Sequence, residues 1–355
     1  MRGSAAIIGG GIGGLTLASA LHADGWDVTL FEREPGMSGA GTALGMWPSA
    51  TRALDRIGVG AGVRSLGSTA ETAQFRRSDG SLIASINMAK LTQRAGDTVY
   101  SLSRPALLEL IHKATPPQVL RFQQPVDDVD RLTSGHDVVV AADGIFSRTR
   151  TQLFGEQYRA RYTGMTAWRG WLDDHPIDGM TETWGSGGRK FGCGPQEGGR
   201  TNWYGASLAP ERDFRPGREL VRLHEMFGGW HGPMREVLDA ITEDGILRHD
   251  LYVTPTLPTY VRDNIALLGD AAHAMTPDLG RGACEAIIDA VALADCLRDA
   301  RNVAEGLAAY DHARRRPSQR IATTAMRAQN LTRWKSALWL RDGLLKLSTL
   351  APMPT

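Results

Sequence analysis

The run Gly9-Gly10-Gly11-Ile12-Gly13-Gly14, together with the acid Glu32 placed 21 residues beyond Gly11, has the types and spacing to hold a dinucleotide. Gly9 permits a tight turn, Gly11 lets a pyrophosphate reach the backbone, Gly13 belongs to the same loop, and Gly14 lets helix and strand pack closely. Glu32 would accept hydrogen bonds from the ribose hydroxyls and repel a 2′-phosphate, and Arg33 beside it is counted as a further cofactor contact. The pattern alone does not choose between NAD and FAD. Arg104 follows Ser103, the expected N-cap of a helix through Ile111, and so lies at the positive end of that helix. A bound anion would remove the conflict. Asp143-Gly144 closes an apolar run and leads to Ser147, Arg148 and Arg150. Asp270 closes another, before the turn-rich loop Thr276 to Gly282 and a helix in which Glu285 and Asp289 stand one turn apart.

These residues need strands that end where they begin. Ala5-Ala6-Ile7-Ile8 reads as a strand buried on both faces, followed by a helix through Leu21 that Gly25 ends, and then by the strand Val28 to Phe31. Val138 to Ala142 and Ile265 to Leu268 read as further parallel strands of the same sheet. Residues 158 to 257 change character: five tryptophans, Trp168, Trp171, Trp184, Trp203 and Trp230, lie in short runs between turns, the pattern of a mostly antiparallel sheet. The cofactor domain is therefore discontinuous, at 1–64, 96–157 and 258–313, with the substrate domain at 65–95 and 158–257 and a basic helical segment at 314–355. Between Arg314 and Lys346 nine side chains are basic and one, Asp342, is acidic. A helix bridging both domains is favoured over a membrane-surface or partner helix, and it predicts a basic segment docked on an acidic body.

The chain has 355 residues, enough for two domains, and its 42% hydrophobic and 22% charged residues exclude a disordered or collagen-like chain. The 41 glycines exceed the usual share and mark places where the backbone turns sharply or something approaches it. A net charge of +1 gives no global attraction to nucleic acid or membrane. Cys193, Cys284 and Cys296 form no CxxC pair, so neither a disulfide framework nor a cysteine metal site is expected, and a reducing cytoplasm fits. No apolar window reaches the length of a membrane span. The first residues superficially copy a secretory signal, but their apolar stretch is broken by the glycines, and cleavage would delete the fingerprint.

With these residues in place, the chain resembles the single-component class A FAD-dependent aromatic hydroxylases of the p-hydroxybenzoate hydroxylase fold over nearly its whole length. Three motifs carry the resemblance in order: Gly9 to Gly14 with Glu32; Ala142-Asp143-Gly144-Ile145-Phe146-Ser147-Arg148; and Leu268-Gly269-Asp270-Ala271-Ala272-His273 with its loop through Gly282. The third selects FAD. The Trp47-Pro48 loop and the Ala283 to Ala290 helix look most like the urate and salicylate hydroxylase branch and its relatives in antibiotic pathways.

The resemblance implies an α/β fold: a discontinuous Rossmann-like FAD-binding domain, an inserted mostly antiparallel substrate domain and a C-terminal helix. It implies FAD contacts from Gly9, Gly11, Gly13, Gly14, Glu32, Arg33, Arg104, Val126, Asp270, Pro277, Gly280, Gly282 and Ala283. NAD(P)H would be a transient electron donor, and O2 would react at the flavin C4a to oxygenate an aromatic or polyketide-like small molecule. Trp47, Arg189, Trp203, Tyr204 and Pro277 would wall the substrate, Arg189 or Arg169 favouring a phenolate. No catalytic residue is assigned. Asp143 would order the fold and gate the FAD and NAD(P)H path, and His273 would be a structural turn residue. The chain departs from the family in a short Val119 to Asp137 passage, which touches the Val126 contact, and in Arg281, where the family commonly has glutamine and where a side chain pointing to solvent is expected. A flavin-dependent dehydrogenase or reductase on the same fold, or a FAD-binding protein that sequesters a metabolite, are the alternatives; a halogenase lacks its Trp-x-Trp-x-Ile-Pro motif. A cytoplasmic monomer or homodimer without nucleic-acid partners completes the expectation.

Overall fold

In the computed structural model, which describes residues 2–37, 39 and 41–349, the apolar runs form one sheet whose interior strands are buried on both faces. It comprises β1 (Ser4–Ile8), β2 (Asp27–Phe31), β7 (Leu120–Arg121), β8 (Val138–Ala141), β14 (Val261–Arg262) and β15 (Ile265–Leu267), in the order β14-β15-β8-β1-β2-β7. All pairings are parallel except the β14/β15 hairpin. All four residues of β8 and all three of β15 are buried, which is why they read as continuous rather than alternating hydrophobic runs. Strands from both ends of the chain thus share one sheet, and the fingerprint loop, the Asp143 turn and Asp270 emerge together at the carboxyl ends of its central strands, where open α/β sheets bind ligands.

The second sheet has seven strands: β4 (Ala73–Arg77), β5 (Leu82–Ile86), β9 (Arg161–Leu172), β10 (Met180–Trp184), β11 (Lys190–Gln196), β12 (Arg200–Leu208) and β13 (Leu247–Val253), in the order β13-β9-β12-β11-β10-β4-β5. Only β10/β4 is parallel. A ribbon of β3 (Ala43–Met46) and β6 (Tyr100–Ser103) runs beside the two sheets. The second sheet has two unlike faces, because successive side chains point to opposite sides. One face carries Trp168, Phe191, Cys193 and Trp203 into an apolar core with Leu223 and Phe227 of the helix Glu219–Phe227. The other carries Arg169, Glu182, Lys190 and Tyr204 toward the first sheet.

The helices Val303–Thr332 and Leu338–Ser348 bind both sheets. Arg314 reaches Glu285 and Asp289 of the helix Gly282–Asp299, each at 2.6 Å. On the other side, Arg341 is buried, stacks over Trp184 at 5.5 Å and pairs with Asp342 at 2.7 Å, while Arg77 reaches the same Asp342 at 2.7 Å. The bridging arrangement therefore rests on a few buried arginines with named partners. Arg316, Arg320, Arg327, Lys335 and Lys346 are exposed, so the charge imbalance as a whole does not dock the segment.

Candidate functional site

The fingerprint loop is built so that side chains are excluded everywhere except at one place. Gly9 has φ +106°, and a Cβ on Gly14 would lie 2.0 Å from the Gly9 carbonyl oxygen, while one on Gly13 would lie 2.4 Å from Leu268. A Cβ on Gly11 would meet nothing within 4 Å. Gly11 thus faces open space at the N-terminus of the helix Ile12–Ala23, which carries no side-chain cap and no acid in its first turn. This is a cradle shaped for an anion. Glu32 closes its side: one carboxylate oxygen accepts the Gly10 N–H at 2.6 Å and the other the Glu34 N–H at 2.9 Å. Arg33 points outward and pairs with Glu34. Val126 packs half-buried against the first sheet, two residues after Gln124, whose N–H donates to the Glu32 carbonyl.

Arg104 and Asp270 face the same groove. Among the described residues the Arg104 guanidinium donates no hydrogen bond; burial lowers its pKa, and Asp270 and Glu32 act on it only through space. Asp270 is open to solvent, yet the protein around it is dense enough to raise its pKa against the pull of His273, Arg104 and Arg150. A carboxylate at the wall of a deep groove and an unpaired guanidinium across it fit the ribityl and diphosphate part of FAD. Arg150, buried at 1% exposure, fastens this region by donating to the carbonyls of Ile145, Tyr158 and Ala271. Asp143 accepts the Thr149 N–H at 3.3 Å and lies behind the groove.

Asp270 is held in place from behind. Gly269, at φ +61°, donates its N–H to Asp289 at 3.1 Å, and His273 Nε2 meets the same carboxylate at 2.5 Å. Burial would neutralise both partners, but Asp289 raises the His273 pKa, and His273 and Arg314 hold Asp289 below the usual carboxylate value. His273 is therefore a structural residue, as its position after the turn suggests. Arg281 corrects the expectation of a solvent-facing side chain. It is 5% exposed, pairs with Glu285 at 2.8 Å and lies over the Trp47 ring at 5.4 Å. The carboxylate one turn further along its own helix draws it inward.

Across the groove the loop Pro277–Leu279 and Gly280, at φ +59°, lead into the helix Gly282–Asp299. Gly282 has open space where a Cβ would be, the nearest atom to one on Gly280 is Trp47 Nε1 at 4.0 Å, and Ala283 is half-buried behind them. The second sheet meets this loop through Lys190, whose ammonium reaches Asp278 at 3.0 Å and Glu182 at 3.3 Å, all three side chains less than a tenth exposed. Burial opposes the charge on Lys190, but the two carboxylates win and its pKa lies above the ordinary value. Tyr204 donates its hydroxyl to Glu182. Burial and that carboxylate push the phenol pKa well up. Arg169 stands close enough to feel Tyr204 and Asp278 and makes no hydrogen bond among the described residues.

Of the residues expected around a substrate, Trp47, Tyr204 and Pro277 thus come together with Gly280 and Gly282. Trp203 and Arg189 do not. Trp203 stacks on Phe191 on the far face, and Arg189, adjacent to Lys190 on the same strand turn, reaches only the carbonyls of Ser186 and Met226 at 3.5 Å. The opposite directions of Trp203 and Tyr204 follow from their adjacency in one strand. Glu182, Lys190 and Asp278 went unassigned from sequence because they lie on two strands and a loop with no shared spacing.

A nucleotide cradle on a parallel sheet, with the polar face of a second sheet tied to the neighbouring loop through Lys190 and Asp278, defines a flavoprotein of the two-sheet hydroxylase type. The FAD binding domain family model matches residues 2–325, and the chain belongs to that family, within the class A FAD-dependent hydroxylases. It is 32% identical to the aurachin C monooxygenase/isomerase of Stigmatella aurantiaca, covering 96% of this chain and 93% of that protein. It is 28% identical to the FAD-dependent urate hydroxylase of Mycolicibacterium vanbaalenii, covering 95% and 93%. The structure of Klebsiella pneumoniae HpxO with FAD and uric acid superposes with a TM-score of 0.86 at 25% identity, over 98% of this chain and 92% of that one. The chain is an FAD-dependent oxidoreductase of the aromatic hydroxylase and monooxygenase family, and no helix of the described residues is long and apolar enough to cross a membrane.

Proposed function

We propose that the protein uses NAD(P)H and O2 to hydroxylate a small aromatic or polyketide-like ring held between the flavin loop and the polar face of the second sheet. Bound FAD would supply the redox chemistry, accepting hydride and activating O2 for insertion of one oxygen atom. The observation that carries the reading is the buried Lys190–Asp278 ion pair, which ties that polar face to the loop Pro277–Gly282. The ring would then lie within reach of Tyr204, Arg169 and Trp47, and on the side of the loop where the isoalloxazine would rest. The similarity to a urate hydroxylase and an aurachin C monooxygenase supports a compact ring substrate.

The chain's own residues divide the work. Gly11 and the free N–H groups after it would hold the diphosphate, Arg104 would balance its charge, and Glu32 would take the ribose. The Gly280 N–H is spent on the Pro277 carbonyl at 2.9 Å, so the backbone N–H of Gly282, at the start of the helix, would be the group offered to the flavin ring, whose charge grows more negative on reduction. Arg281 fixes the Trp47 ring as a wall, and the buried side chains around Lys190 keep water from the cavity. Arg169 can hold a phenolate or a ring carbonyl. NAD(P)H would bind transiently as the electron donor.

The purified, FAD-loaded protein is expected to oxidise NADH or NADPH faster when a suitable ring compound is added, yielding a product 16 mass units heavier. Stimulated NAD(P)H oxidation with a product that gains no oxygen would place the protein among the dehydrogenases and reductases. Retained FAD with no response across phenols, hydroxyquinolines and polyketide-like rings would favour metabolite sequestration.

A further inference from the structure

The helix Leu338–Ser348 is inverted relative to an ordinary surface helix, which buries its apolar stripe and leaves charge in water. Its inner side carries Arg341 and Asp342, both buried and paired with each other, and Leu345, which packs among Ile83, Ala84 and Trp184. Its outer side carries Trp339, 76% exposed, Leu347, 64% exposed, and Leu340 and Leu344, each more than two-fifths exposed. With about 3.6 residues per turn these four, and Gly343 between them, occupy an arc of about 140°, and the buried residues lie opposite. Single exposed leucines need no explanation, but four large apolar side chains on one face mark an interaction surface.

The exposed charges of this segment are of one sign. From Arg314 to Thr349 the only acid is Asp342, which Arg77 and Arg341 hold from within, while Arg316, Arg320, Arg327, Lys335 and Lys346 are exposed. On the helix circumference Lys346 borders Trp339, and Lys335 lies in the turn that enters the helix. A second copy docked through the same face would bring these lysines against their own counterparts, so like charges oppose self-association there. An anionic lipid surface suits both features, because it takes tryptophan and leucine side chains below its headgroups and lysines at its phosphates.

We propose that the helix Leu338–Ser348 is a membrane-surface contact, lying flat in the headgroup layer of an anionic bilayer with Trp339, Leu340, Leu344 and Leu347 toward the acyl chains and Lys335 and Lys346 on lipid phosphates. Such a helix rests on the membrane and does not cross it. Its 11 residues are too few to span a bilayer, and one short apolar face supports reversible binding. The inner side explains how the face stays turned outward: Asp342 is held by Arg77, and Arg341 donates to the Gly185 carbonyl, so the helix is fixed to the second sheet by its charged residues. The overall charge of +1 gives no global attraction to lipid, but this patch gives a local one.

The test mixes the full-length, FAD-loaded protein at low ionic strength with sedimentable vesicles, either of phosphatidylcholine alone or of phosphatidylcholine and phosphatidylglycerol in equal parts. Binding to the mixed vesicles is expected to be roughly tenfold tighter than to phosphatidylcholine alone and to weaken as salt is added. Trp339→Ser combined with Leu347→Ser should weaken it roughly tenfold without moving the melting temperature, since both side chains are exposed in the free protein. Lys335→Gln combined with Lys346→Gln should remove most of the preference for the mixed vesicles and leave binding to phosphatidylcholine as it was. Trp339→Leu should bind as the wild type does but lose most of the tryptophan quenching that spin-labelled lipid causes. Absence of wild-type binding to the mixed vesicles overturns the proposal, as does undiminished binding by the double serine variant. Concentration-dependent dimerisation that the serine variant abolishes would assign the face to a second copy and overturn it equally.

Discussion

The two binding surfaces of this protein are made in opposite ways. The cofactor cradle is made of backbone: glycines leave room, strand ends aim N–H groups, and side chains matter chiefly by being absent. The proposed substrate site beneath the second sheet is made of side chains: Glu182, Lys190, Tyr204 and Arg169 from four strands, and Asp278 from a loop of the other sheet. A backbone site needs a fixed local spacing, so it leaves a motif. A side-chain site assembled across a sheet needs only a shared face, and the same chemistry can be supplied from many positions.

Substitutions can break this contrast, and the largest effect belongs to the cradle. Gly14→Ala sets a Cβ 2.0 Å from a backbone oxygen that cannot move aside, and the protein should lose FAD and most of its soluble yield. Gly11→Ala places its Cβ in open space, so the protein without cofactor should melt as the wild type does while FAD affinity drops at least tenfold. Measuring flavin content and thermal unfolding together separates the two. Equal melting temperatures for Gly14→Ala and wild type would refute the backbone account.

The support behind the cradle comes next. Asp289→Asn removes the negative charge that pairs with His273 and Arg314, and should cost about 3–5 kcal/mol, as breaking a buried pair does. The pH dependence follows from the signs. His273 has its pKa raised in the folded state, so its stabilisation is complete below the ordinary imidazole value of about 6.5 and fades as pH rises through the raised one. Asp289 has its pKa lowered, so its share is present above the ordinary carboxylate value and is lost in acid. Unfolding followed from pH 5.5 to 9 should show an alkaline decline in the wild type that the variant lacks; parallel curves would mean the pair contributes nothing.

On the side-chain face, Lys190→Met leaves Asp278 and Glu182 facing each other unneutralised, and kcat/KM should fall about a hundredfold, near 2.7 kcal/mol. Arg341→Met removes the cation over Trp184, whose indole steadies Glu182, but leaves Arg77 on Asp342; about 1–3 kcal/mol of stability should go, read by denaturant unfolding. Arg189→Ala should change kcat/KM less than twofold, although it neighbours Lys190, because it points to the other side. A loss as large as that of Lys190→Met would undo the assignment of faces.

The sequence showed four parallel strands of the first sheet, the discontinuous plan and where the glycines, Glu32 and Asp270 fall at the strand ends, but neither the strand order nor the edge strands β7 and β14, because buried parallel strands and tight turns restrict residue types locally while edge strands do not. It also suggested the antiparallel character of the second sheet from its tryptophans. What it left hidden was direction. Trp203 and Tyr204 are adjacent, and a single strand cannot aim both at one cavity; deciding between them needs the packing of the helix Glu219–Phe227 on one face. Arg281 was misjudged for a related reason. Its partner Glu285 lies one turn along a helix whose outer side is covered by Arg314, and only the fold reveals that cover. Lys190 and Asp278, 88 residues apart, meet only because the two sheets do.

The central claim is that this site serves oxygen insertion. It is tested most directly by supplying the FAD-loaded protein with NAD(P)H, a ring compound that accelerates its oxidation, and isotopically labelled O2. One labelled oxygen atom in each product molecule, and none from labelled water, is the predicted result. A product formed at the same rate without label from O2 would contradict the account.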